Sequence, residues 1–153
     1  MMLLLFLSFA TWFIPVQATP ATPDEIQNTP VPASRQADIV AVIEVHSPID
    51  AITAHSIKRR VKKAVALGAE AIVFDLHTPG GDVESMLEIC RFIKQDTPVK
   101  TAAWINPEAY SAGAIIALAA DEIVMVPSAR MGDAAPIAGV PGAGMLNLPA
   151  AER

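Results

Sequence analysis

The feature that most constrains this chain is an alternation. Four short apolar runs stand out: "DIVAVIEV" at 38–45, "EAIVFDL" at 70–76, "VKTAAW" at 99–104 and "EIVMVP" at 122–127. The residues between them repeat their apolar positions with a helical period. Val- and Ile-rich runs of this length, continuous rather than alternating, read as strands of a parallel sheet buried on both faces. In the first interval Ile57, Val61, Ala64 and Val65 share one helical face. Lys58, Arg59, Lys62 and Lys63 crowd the rest as a solvated face, and Gly68 stands where the helix should end. In the second, Val83, Met86, Leu87, Cys90 and Ile93 mark a face behind Asp82, a candidate N-cap. The third interval, Ser111 to Ala120, is apolar all round and is expected to be buried. The order βαβαβαβ with short connections predicts an α/β fold, with a mainly parallel sheet and right-handed crossovers. Such sheets carry their sites at the carboxyl ends of the strands.

Two stretches fall at those ends. "TPGG" closes the second strand, and "NPEAYS" follows the third, with "NPEAY" read as a loop. The paired glycines, Gly80 and Gly81, permit positive φ and a close approach of the backbone to a ligand. Their outward N–H groups are candidates for stabilising an oxyanion. Ser111 begins the buried helix, at the positive end of its dipole. Ala112 and Gly113 after it leave room for an acyl group. Each stretch also has a purely structural reading. Pro-Gly-Gly is a common turn between strand and helix, and a serine N-cap contributes about 1 kcal/mol by itself. Their pairing on successive strand ends is more specific than either alone.

The chain has 153 residues, 52% of them apolar, enough for one modest domain. A net charge of −5, with no basic patch interleaved with aromatics, argues against a nucleic-acid partner. The single cysteine, Cys90, excludes an intrachain disulfide and is read as a core residue. His46, His55 and His77 are scattered singly, so neither a metal nor a cofactor is expected.

The first segment differs from the rest. Residues 2–14 are apolar almost throughout. The run matches a signal-peptide core and is shorter than the roughly 20 residues of a spanning helix. Val16–Ala18 ("VQA") supplies small residues for cleavage after Ala18, so 1–18 is read as a signal peptide. No Lys or Arg precedes the run, and the alternative is an uncleaved anchor; either exports the domain. Residues 19–37, with four prolines, read as an extended linker. The folded domain is expected over 38–139. "SARMGDAAPIAGVPGAG" is read as irregular, and 140–153 as a flexible Gly/Pro-rich segment.

At "DLHTPGGDVESMLEICRFIK" (75–94) and "AYSAGAIIALAADEIVMVPSARMGDAAPI" (109–137) the chain resembles the NfeD family of membrane-associated serine proteases. That family lies within the Clp protease/crotonase-like superfamily, and the likeness extends over residues 39–138. It implies a ββα-superhelix type of α/β fold with a mainly parallel sheet. It implies a serine endopeptidase in which Ser111 is the nucleophile. Gly80 and Gly81 would form the oxyanion-hole loop, with the Ala112 N–H as second donor. It also implies a polypeptide substrate, apolar segments of membrane proteins such as stomatin-like proteins, and association as a homodimer.

The family works with a Ser–Lys dyad, its lysine lying after the last core strand. Here no lysine follows Lys100, and Lys58, Lys62, Lys63, Lys94 and Lys100 stand on polar helical faces or within a strand. None is read as the base. The chain is therefore expected to be the N-terminal part of a protease domain, incomplete at its C-terminus and without the dyad lysine. His77 beside "TPGG" is given no role by the resemblance, and Asp133 nothing firmer than a place near the site. The alternatives are an exported binding module without catalysis and a crotonase-type acyl-CoA enzyme.

Overall fold

The computed structural model describes residues 32–135 and the backbone of 137–140 and 144–147. The expected signal peptide and most of the expected linker lie outside the described residues, as do 141–143 and 148–153. In the unit 1–36, Ala33–Arg35 form one turn of 3₁₀ helix, in which the Arg35 N–H donates to the Pro32 carbonyl.

In the unit 37–153, strands β1 (Val40–Val45), β2 (Ala71–Thr78), β3 (Lys100–Tyr110) and β4 (Glu122–Met125) lie side by side in chain order. All pairings are parallel. Helices α1 (Ala51–Ala66), α2 (Val83–Arg91) and α3 (Ala112–Ala119) link them, so the order expected from the apolar runs is the order observed. Helix α1 begins earlier than its apolar period suggests because Asp50 caps it, accepting the Thr53 N–H at 2.7 Å. That bond holds the Asp50 carboxyl below its usual range. Asp82 caps α2 as expected, accepting the Ser85 N–H at 2.7 Å. Helix α2 then widens into a π turn over Phe92–Asp96.

Alternation along the strands sends Ile43, Val45, Ile72, Phe74, Leu76, Ala103 and Ile105 inward. There they meet Ala54, Ile57 and Val61 of α1 and Ile116 and Ala117 of α3. The buried stripe of α2 is rotated from the expected one. Met86, Ile89, Phe92 and Ile93 are buried, whereas Val83 and Leu87 are exposed. Helix α2 touches both α1 and α3, so the stripe that counts is the one between these neighbours.

Three expectations are corrected. The strands are not buried on both faces among the described residues: Val42 is 60% and Val40 48% exposed, and Trp104 and Val124 share that open side. The continuous Val/Ile runs report parallel pairing, while the helices cover one face. "NPEAY" is not a loop. Strand β3 runs through it, across a cis Asn106–Pro107 bond, because its second half acquires a new partner. Past a register shift between Leu76 and Thr78, residues Glu108–Tyr110 pair with strand β5 (Arg130–Gly132). Finally, the Gly/Pro-rich stretch is not irregular throughout. It holds β5 and β6 (Ile137–Val140), and β6 pairs antiparallel with β7 (Gly144–Asn147) in the segment expected to be flexible. Strands this short depend on a partner's backbone and leave little period in the sequence.

Candidate active site

Strand β3 turns into α3 at Ser111, whose backbone takes φ 50° and ψ −117°. A residue with a side chain holds such a conformation at a cost of about 1–3 kcal/mol. The Ser111 N–H donates to the Gly132 carbonyl at 2.8 Å, so β5 latches the corner. The hydroxyl does not cap α3. Among the described residues no partner engages it. The capping reading of this serine therefore fails: the strained corner carries a half-buried hydroxyl that supports no helix N–H.

The glycine loop lies against that corner. A Cβ placed on Gly80 would stand 2.6 Å from Ser111 Cβ, 2.9 Å from the Tyr110 carbonyl oxygen and 3.2 Å from the Ala112 nitrogen. Only glycine fits, and φ is 102°. The loop is fixed from the other side by Ile49, whose N–H donates to the Gly80 carbonyl at 2.8 Å and whose carbonyl accepts the Asp82 N–H at 2.8 Å. A Cβ on Gly81 would stand 2.1 Å from the Ile49 carbonyl oxygen, so this position also tolerates only glycine.

These bonds decide where the loop's amides point. The Gly80 N–H turns back to Thr78 Oγ1 at 3.2 Å. The C=O and N–H of a trans peptide point in opposite directions. With the Gly80 carbonyl aimed at Ile49, the Gly81 N–H is aimed away from it. Gly81 is exposed, and among the described residues neither its N–H nor that of Ala112, the first residue of α3, has an acceptor.

Strand alternation separates the other candidates from this corner. Thr78 faces the helices, so His77 faces the open side, where its ring meets His46 edge-on at 5.8 Å. His46 Nε2 lies 3.0 Å from Asp75 Oδ2, while Asp75 Oδ1 is buried and has no hydrogen-bond partner among the described residues. Asp133 follows β5 at φ 53° and is exposed. Lys58 pairs with Glu88, and Lys62 lies 5.9 Å from the centre of the Phe92 ring. Lys94 and Lys100 line a cavity of about 320 Å³ with Asp121, at the opposite end of β3 from Ser111. Among the described residues no group of His, Cys, Asp and Glu could hold a metal. The residues that sequence reasoning missed are Ile49, Thr78 and Gly132. Of these only Thr78 left a signal: it continues the inward series Ile72, Phe74, Leu76 as a polar residue.

The parallel sheet and the helices that cross over one face of it place the chain in the Clp-protease class of α/β fold. ClpP1 of Listeria monocytogenes shares it, with a TM-score of 0.56 at 20% identity, over 60% of this chain and 54% of that one. Within that class the chain belongs to the NfeD1b family, whose N-terminal domain it matches over residues 39–144. It is 36% identical over 107 residues to membrane protein NfeD1b of Bacillus subtilis (strain 168), covering 70% of this chain. It is 33% identical over 105 residues to the membrane-bound protease PH1510 of Pyrococcus horikoshii, covering 67%. In each case the match spans 24% of the relative's length. The 1510-N membrane-bound stomatin-specific protease superposes with a TM-score of 0.67 at 30% identity, over 72% of this chain and 55% of that one. A form of it in complex with a substrate peptide gives 0.68 at 32%, over 74% and 53%. Among the described residues no helix is long and apolar enough to cross a membrane.

Proposed function

We propose that the chain carries the nucleophile and oxyanion hole of a membrane-associated serine endopeptidase. Its substrates would be apolar segments of membrane proteins such as stomatin-like proteins, met on the extracytoplasmic side. The observation that carries this reading is the Ser111 corner. Its hydroxyl is held in a strained conformation and caps nothing, and it stands against a glycine loop with an outward N–H. Support also comes from relatives named as proteases, one of them in complex with a substrate peptide.

In this reading Ser111 Oγ attacks the scissile carbonyl carbon, and its proton passes to a base, a lysine by family resemblance. The carbonyl π electrons move to oxygen, and the oxyanion accepts the N–H groups of Gly81 and Ala112. Each donor of this kind is worth about 10²–10³ in rate. Collapse expels the amine with the proton and leaves an acyl-serine, which water hydrolyses. Gly80 serves by close approach, since its own N–H is engaged by Thr78.

The test uses the protein expressed from its complete gene, so that the base is present wherever it is encoded. A fluorophosphonate probe is expected to label the wild type and not the Ser111→Ala variant. Labelling that persists without Ser111 would refute the nucleophile. A protein that neither labels nor cleaves peptides would be a binding module instead.

A further inference from the structure

Thr78 is a fully buried polar side chain that the reaction above does not use. Its hydroxyl has one proton and lone pairs to accept. The proton is donated to the Ser47 carbonyl at 2.7 Å, and a lone pair accepts the Gly80 N–H at 3.2 Å. The hydroxyl is thus fixed in both roles and ties the segment after β1 to the glycine loop. The methyl group makes a second tie. A Cβ on Gly113, two residues past Ser111, would stand 2.4 Å from Thr78 Cγ2, so α3 seats its second residue directly on this methyl. One side chain therefore touches both halves of the site.

We propose that Thr78 is a positioning residue for the oxyanion hole, a role that rests on the peptidase reading above. Its hydroxyl sets the plane of the peptide entering Gly80, and Ile49 sets that of the peptide leaving it. With both planes set, the Gly81 N–H has one available direction. Without the hydroxyl, the Gly80 N–H and the Ser47 carbonyl lose their partner inside the protein. The entering peptide is then free to rotate, Gly80 shifts against Ser111, and the leaving peptide on its Ile49 tether shifts with it, which carries the Gly81 donor off the charge that develops in the transition state. Substrate binding along the rest of the site does not depend on that aim, so the loss falls on kcat.

Thr78→Ser and Thr78→Ala both remove the methyl and differ only in the hydroxyl, which separates aim from packing. The protein from its complete gene is assayed with a quenched-fluorescence peptide bearing an apolar core. Thr78→Ser is expected to stay within about threefold of wild-type kcat. Thr78→Ala is expected to lose roughly 10–100-fold, part of what outright removal of a donor costs, with KM changed less than about threefold. Amide exchange followed by NMR should show Gly80 protected in the Ser variant and exchanging about tenfold faster or more in the Ala variant. Equal kcat in the two variants, or equal Gly80 protection, overturns the proposal even if the Ala variant is less stable. Hydrolysis that survives Ser111→Ala would instead overturn the peptidase reading and this role with it.

Discussion

The α-carbon of Gly80 is packed so closely on Ser111 that a methyl group added to it would lie 2.6 Å from the serine's own Cβ. Loop and corner come from different strands, β2 and β3, yet they meet as one unit. Because φ at Gly80 is also 102°, an added side chain meets strain and clash together. Gly80→Ala is expected to lower kcat on the order of 10²-fold by pushing the donors off the oxyanion position. The steady-state constants of a folded variant check this.

Ser111 gives a second prediction, in which stability and activity move apart. Ser111→Gly removes the side chain that is strained at φ 50° and ψ −117°, whereas Ser111→Ala keeps the strain. The glycine variant should exceed the alanine variant by about 1 kcal/mol, after the entropy that glycine costs. Both should be inert to a fluorophosphonate. Urea titrations read the first expectation, and equal midpoints would remove the argument from strain.

Gly113 and Thr78 should show compensation. Gly113→Ala forces a methyl toward Thr78 Cγ2 at 2.4 Å and should cost about 1–3 kcal/mol. Adding Thr78→Ser removes the obstructing methyl, so most of that loss should return in the double variant. A double-mutant cycle by thermal denaturation measures the coupling, and simple additivity would contradict the contact.

Cys90 should be a slow thiol. Burial pushes it up, and it sits near Met86 and the Ile115 carbonyl. Alkylation by iodoacetamide near neutral pH should be at least about tenfold slower in the folded protein than in urea, because the thiolate is the reactive form. The rate should keep climbing with pH beyond the point where a free thiol levels off.

Acid should destabilise the domain through Asp121. Its carboxylate accepts the Thr101 backbone N–H at 2.8 Å and the Thr101 hydroxyl at 3.0 Å. The backbone bond, first among the causes, holds its pKa below the ordinary value. A group whose folded pKa is depressed contributes stability above its unfolded pKa, near 4, and loses that contribution as pH falls through the folded value. Asp50 and Asp82 act in the same direction through their caps. The melting temperature of Asp121→Asn should therefore lie below wild type at neutral pH and converge with it in acid.

Much of this arrangement is legible in the sequence, and the reasons differ by element. The runs at 38–45 and 70–76 announce strands because branched Val and Ile side chains fit the pleated, half-buried surface of a sheet. Gly80 and Ser111 can be picked out because their residue types are rare solutions to close approach and exposed nucleophilicity. The path of β3 past Pro107 cannot be, since a partner 22 residues downstream of Glu108 decides it. Nor can the burial of Ile89 in place of Leu87, which depends on where α1 and α3 stand. Thr78 shows its facing in the period of β2, but its two hydrogen bonds belong to segments that only the fold brings near.

The latch on the Ser111 corner has a consequence in time. The carbonyl that receives the serine's N–H belongs to Gly132, which is made 21 residues later. At a synthesis rate of about 5–20 residues per second, that delay is roughly 1–4 s. Until Gly132 is made, the Ser111 N–H lacks the acceptor that latches the corner from the β5 side. The corner is thus completed from both directions along the chain: the glycine loop is made before the serine, and the β5 latch after it.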